Sequence, residues 1–136
     1  MRSTLIKTLH FWIGLVGIFV FILTGQYMDH EYIHLGGMPD GPRMLFRSGH
    51  IYFLLASVIN LVLGVYWLRA TRKVSRLIQT LISVIVLLSV FLLLVGFFTE
   101  PHMDNLLRPY SRLGLYGIFG AAILLVLQKV FDHKVQ

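Results

Sequence analysis

Charged residues interrupt the chain rarely and leave four long uncharged stretches: Thr8 to Met28, Ser48 to Leu68, Leu77 to Thr99 and Leu113 to Gln128. The first three each exceed twenty residues, and about 20 helical residues at 1.5 Å each cross a hydrocarbon core of about 30 Å. The fourth is shorter and borrows length from Pro109 to Arg112 and from Lys129, whose long stem snorkels to the headgroups. The pattern therefore predicts membrane helices at about 9–28, 49–68, 77–99 and 110–129, forming an all-α, integral membrane four-helix bundle. The whole of 1–136 reads as a single transmembrane domain, without repeats or low-complexity linkers. Pro109 fits a first helical turn, and Glu100-Pro101 ends the third helix, because the residue before proline disfavours the α region. The run Gly36 to Pro42 is turn chemistry between the first two helices.

Basic residues set the expected orientation. Arg2, Lys7, Arg69, Arg72, Lys73, Arg76, Lys129 and Lys134 fall on one side, and Arg43, Arg47, Arg108 and Arg112 on the other. Translocation of Lys and Arg is disfavoured, so the side with eight bases is expected in the cytoplasm, together with both termini. Asp29, Glu31, Asp40, Glu100 and Asp104 gather on the opposite side, leaving it net −1 against +7 for the cytoplasmic face. The initial Arg2 and Lys7 before an apolar run resemble the start of a cleaved signal, but the run is long and Gly25-Gln26-Tyr27 is a poor cleavage site. It is read as a retained first helix.

Composition agrees with the spacing. Hydrophobic residues make up 57% of the chain, charged residues only 13%, and mean hydropathy is +0.77, too apolar for a soluble domain. The formal charge of +6 is explained by the asymmetric loops, so no nucleic-acid partner is expected. Absence of cysteine excludes disulfides, thiolate metal sites, iron–sulfur clusters and thiol nucleophiles, as well as thioether-attached haem. Histidine is then the strongest soft ligand remaining.

His30, His34, His50 and His102 all fall on the outer side with most of the acids. Intramembrane or rim histidines gathered at one bundle end point to a site, although each alone reads first as a solvated rim residue. His30-Glu31-Tyr32-Ile33-His34 matches H-E-x-x-H, in which two histidines one helical turn apart grip one metal. Its place at the exit of helix one, beside a Gly-Gly-x-Pro turn, argues against a protease. The metal candidates are thus His30, Glu31, His34, His50, Glu100 and His102. His50 opens helix two, with Ser57, Leu61, Gly64 and Leu68 expected on its inward stripe, and Arg47 one turn earlier is placed to hold an anionic lipid or a haem propionate. Ser57 and Asn60 read first as interhelical hydrogen bonders. His10 lies about 30 Å of helix from His30, so any site it serves is a second one, with His133 as a conceivable neighbour. Gly114, Gly117, Gly120 and Ala121 give helix four a smooth packing surface, and aromatics such as Trp12 and Trp67 read as interface anchors.

The stretch Leu9-His10-Phe11-Trp12-Ile13-Gly14-Leu15-Val16-Gly17, continuing to Leu23-Thr24-Gly25, resembles the first membrane helix of PepSY-associated transmembrane proteins. It covers one helix of four. The resemblance implies a b-type haem held by helix histidines, with His10, His50 and Arg47 as cofactor-binding candidates; paired histidines at one depth on two helices are not evident.

These readings lead to the expectation of a multi-pass protein of a bacterial inner membrane. It carries haem b or a transition metal (Cu, Fe or Zn) near its outer face for electron transfer, with a quinone or redox protein as partner and a homo-oligomeric assembly. Two other readings stay open: an accessory or lipid-binding subunit without a cofactor, and a small transporter with Ser57, Asn60, Gln79 and Ser83 along its path.

Overall fold

The computed structural model describes residues 2–67, 70–103 and 106–134. Within them the chain is wholly helical in its regular structure: α1 (Arg2–Tyr32), α2 (Asp40–Tyr66), α3 (Lys73–Thr99) and α4 (Pro109–Lys134), with a single 3₁₀ turn, Glu100–His102, after α3. All four are long and apolar enough to cross a membrane. At 1.5 Å per residue the 31 residues of α1 extend about 46 Å, longer than the about 30 Å of a hydrocarbon core.

Helix boundaries follow local chemistry. Pro39, at φ −55° and ψ 150°, precedes the first turn of α2. The helix therefore starts earlier than the expected 49 and carries Gly41, Pro42, Arg43 and Arg47. Proline is tolerated there because first-turn N–H groups have no intrahelical acceptor. Pro109 opens α4 for the same reason, as the sequence predicts.

Successive helices run antiparallel. The chain thus has a basic end, holding the start of α1 and the α2–α3 connection, and an acidic end, where α1 passes to α2 and α3 to α4. α1 packs chiefly on α2 and α4 chiefly on α3, while α2 and α3 form the middle. Two close approaches explain the first pairing. A Cβ on Gly14 would collide with the Leu61 backbone, and one on Gly64 with the Phe11 backbone, so the two helices meet main chain to main chain. On the other side Gly114 lies against Leu93 and Gly117 against Ser89, but a Cβ on Gly120 would meet nothing. The smooth face of α4 is therefore used in part. Phe53, Ala56, Val90, Leu93 and Ile118 form the central core, with Phe46, Phe97 and Leu35 packed at the acidic end. Outward positions such as Phe19, Leu77, Leu88 and Phe119 remain more than half exposed, the reverse of a water-soluble surface and suited to lipid contact. Ser75 donates to Asp132 across 2.7 Å and ties α3 to α4 at the basic end.

Candidate functional site

Two histidines are enclosed by helices, one near each end, and their hydrogen bonds define different chemistry. His50 reaches from α2 to α1, with Nδ1 3.1 Å from the Thr24 hydroxyl. That hydroxyl also bonds the Phe21 carbonyl at 2.9 Å. A carbonyl can only accept, so the single hydroxyl proton goes to Phe21 and Thr24 must accept from His50 Nδ1–H. A neutral ring then carries its lone pair on Nε2.

Nothing consumes that lone pair. Among the described residues Nε2 has no hydrogen-bond partner, and the one buried side-chain polar atom left unpaired is Gln128 Oε1, so His50 Nε2 reaches the molecular surface. It does so beside Gly25, where an added Cβ would lie 3.6 Å from both Cε1 and Nε2. The ring is held in place by Phe21, stacked at 3.9 Å and 19°, and by Phe97 at 6.1 Å. A fixed tautomer, a packed ring and an uncovered Nε2 are the features of a ligand histidine, whose other nitrogen is normally oriented by a hydrogen bond. Arg47, one turn earlier, is exposed.

His10 is the opposite case. It is fully buried, with Nδ1 2.6 Å from Asn60 Oδ1 and Nε2 2.7 Å from Ser83 Oγ. Asn60 gives its amide to the Ala56 carbonyl at 2.8 Å, which fixes Oδ1 as an acceptor; His10 Nδ1–H donates to it, and Ser83 donates to Nε2. Trp67 stacks on the ring at 5.5 Å and 23°. Both nitrogens are occupied, so the resemblance of helix one to haem-binding helices finds no open ligand atom at His10. His133, its conceivable neighbour, lies outside the described side chains, as do Arg69 and Asp104.

The outer histidines do not assemble around a common point. α1 stops at Tyr32, and Ile33, His34 and Leu35 follow with φ of 46°, 56° and 62°. The two histidines of H-E-x-x-H therefore do not share one helix face. The physical cause is Leu35, only 3% exposed, which the left-handed turn drives inward against Phe46 and Phe97. His34 Nδ1 instead pairs with Asp29 at 2.5 Å in an exposed contact. His30 and Glu31 are exposed on an open depression of about 630 Å³, shared with Gln26, Tyr27, Asp29 and His34. His102 is exposed, its ring edge-on to Phe46 at 5.7 Å. Glu100 is buried at 2% exposure, and both oxygens are taken by Ser111, from N at 2.8 Å and from Oγ at 2.5 Å. It serves the free N–H groups at the start of α4. Among the described residues no three His, Asp or Glu side chains come together as a metal-holding group.

Sequence reasoning did not pair Thr24 with His50 or Asn60, Ser83 and Trp67 with His10. Asn60 does bond between helices, but Ser57 returns its hydroxyl to Phe53 of its own helix. The buried stripe of α2 runs through Gly49, Phe53, Ala56, Ser57, Asn60 and Gly64, turned from the expected one; Leu68 lies outside the described residues. The one signal for these partners is polarity inside apolar helices, which marks Thr24, Asn60 and Ser83 without saying which histidine each serves. No protein-family model matches the chain, and comparison with curated proteins and with solved structures finds no similar one.

Proposed function

We propose that the chain is a membrane electron-transfer subunit that binds b-type haem near its acidic end, with His50 Nε2 as an axial ligand. The observation that carries this reading is the fixed tautomer of His50: Thr24 accepts from Nδ1–H, and among the described residues the Nε2 lone pair beside Gly25 has no hydrogen-bond partner. A bare Cu, Fe or Zn ion needs three or four protein ligands held together, and the described residues bring no such set together. Haem supplies four nitrogens itself and asks the protein for one or two, which matches an isolated, oriented imidazole. Arg47, exposed one turn from His50, is the cation for a propionate. Bound haem iron would cycle between ferric and ferrous states; this chain's part is to hold Nε2 and keep it neutral.

The charge asymmetry supports a bacterial inner-membrane setting with the acidic end outward, and a quinone or redox protein as electron partner. The apolar groove of about 230 Å³ between α1 and α3, over Phe53, suits an acyl or isoprenoid chain. Association of copies through the exposed apolar flanks completes the proposed assembly.

Protein purified in mild detergent from cells supplied with haem should show a Soret band and α/β bands on reduction. His50→Ala should lose them. Gly25→Leu should weaken them by covering Nε2, while Gly25→Ala should fold normally, since 3.6 Å is ordinary van der Waals contact. A folded wild-type protein with no Soret band would overturn the haem reading and favour the accessory subunit without a centre. The main-chain packing of α1 on α2 suits that alternative equally well.

A further inference from the structure

His10 lies at the other end of α1 from the haem proposed above, and its surroundings are independent of it. The cluster draws on three helices: His10 from α1, Asn60 and the adjoining Trp67 from α2, and Ser83 from α3. Buried polar groups in apolar helices are often nothing more than interhelical glue. Three features here go further.

First, Asn60 Oδ1 is fixed as an acceptor by the Asn60 amide bond to Ala56, so it holds Nδ1–H whatever the state of Nε2. Second, Ser83 can reverse. Thr80, Ser89 and Thr99 on the same helix each give their hydroxyl to the carbonyl four residues back. The bond recorded for Ser83 goes instead to His10. If Nε2 gains a proton, the Ser83 hydroxyl can rotate to the Gln79 carbonyl, which has a second lone pair, and its oxygen can accept from Nε2–H. No backbone has to move. Third, Trp67 presents its ring 5.5 Å away, within the distance at which an aromatic face attracts a cation.

We propose that His10, Asn60 and Ser83 form a proton-binding site in the basic half of the bundle, with the imidazolium held between two oxygens and the face of Trp67. The reaction is one proton added to the Nε2 lone pair, with one O–H···N bond exchanged for one N–H···O bond. Among the described residues, charges near the cluster are few; Arg69, two residues beyond Trp67, lies outside them. On α1 the nearest in sequence is exposed Lys7; α2 contributes neutral Asn60 and is followed by neutral Trp67; α3 contributes neutral Ser83 and Gln79, with Arg76 two turns nearer the basic end and Arg72 just before the helix. Among the described residues none of these cations bonds to or stacks on His10, and no carboxylate does. They oppose the proton from a distance and full burial opposes it at the site, while the three partners favour it at contact.

Trp67 reports the event, because a stacked imidazolium quenches indole emission. With Trp12→Phe, which leaves Trp67 as the sole tryptophan, acidification from about pH 8 to about pH 4 should lower emission as a one-proton transition. Adding His10→Gln should abolish it. Adding Asn60→Asp should move the midpoint upward by about 1–3 pH units, as an adjacent carboxylate does to a histidine. Emission that stays flat in both the Trp12→Phe protein and its Asn60→Asp derivative, each with unchanged helical circular dichroism, overturns the proposal. Should the Asn60→Asp protein fail to fold, ¹⁵N spectra of the wild-type His10 ring decide. Conversion of Nε2 from lone-pair to N–H character supports the site, and a constant shift over the same range overturns it. None of these readouts depends on haem, so the two proposals fail separately.

Discussion

His50 and His10 differ in what their second ring nitrogen meets, and that difference separates the proposed ligand from a bridge. In both, a neighbouring polar group with a fixed role, the Thr24 hydroxyl or the Asn60 carbonyl, dictates the tautomer. The bridge has a testable energetic side. Asn60→Leu keeps the volume of the site roughly constant but strips the acceptor from His10 Nδ1 in a fully buried place. Even if the ring moves its proton to Nε2 and donates to Ser83, Nδ1 is left without a partner; a buried unpaired polar group costs about 1–3 kcal/mol, so denaturation in detergent should show a loss of up to that size. His10→Leu in addition should recover part of it, because no ring nitrogen is then left unpaired. That histidines, threonine, asparagine and serine sit inside apolar helices is plain from the chain, and so is their depth. Their pairing is not. The partners lie 26, 50 and 73 residues apart, and which ones meet depends on how each helix is rotated about its axis, a property of the packed whole.

At the scale of elements, the fate of H-E-x-x-H turns on where α1 stops. The motif implies one face only if the helix continues through His34. Instead His34 N returns to the Asp29 carbonyl, six residues counted inclusively, with Ile33 in the left-handed region where such helix ends normally place glycine. Gly36 and Gly37 announce a turn, yet they come after the actual break. What moves the break forward is burial of Leu35 against Phe46 and Phe97, a contact made with helices far along the chain. The cost is local. A β-branched residue in the left-handed region loses about 1–2 kcal/mol relative to the right-handed one, and Ile33 is 77% exposed, so it recovers little by packing. Ile33→Gly removes that penalty but frees the unfolded chain by about 0.5–1 kcal/mol. The net expectation is a protein as stable as the wild type or up to about 1.5 kcal/mol more so, measured by thermal melting in detergent. Marked destabilisation would mean that Ile33 has a partner beyond the apolar contacts described. The start of α4 was more legible than this end, because Pro109 acts through a bond it cannot make, irrespective of tertiary packing; the start of α2, nine residues before the expected 49, was not.

For the molecule as a whole, length and hydrophobicity sufficed for four helices able to span a membrane, since the requirement of about 20 apolar residues is imposed by the solvent and not by any partner. Orientation rests on a different force, the poor translocation of Lys and Arg in short connections. The α2–α3 connection carries Arg69, Arg72 and Lys73 with Arg76 close behind, whereas the α1–α2 connection carries no base between His34 and Arg43. The chain contains no cysteine, so single cysteines can be introduced without removing any. Gly37→Cys places a thiol on the acidic end in an exposed turn where a Cβ meets nothing within 4 Å, although its φ of +80° makes a non-glycine residue strained there. Thr71→Cys places one in the exposed connection at the basic end. In intact bacterial cells a membrane-impermeant maleimide should label Gly37→Cys and spare Thr71→Cys, and permeabilisation should expose the second. Repeating the Gly37 experiment with exposed Pro39→Cys controls for the strained turn. The reverse labelling would put His50 and Arg47 on the cytosolic side, so a haem held there would exchange electrons with cytosolic partners; the ligand geometry would stand, and only the direction of electron flow would be redrawn.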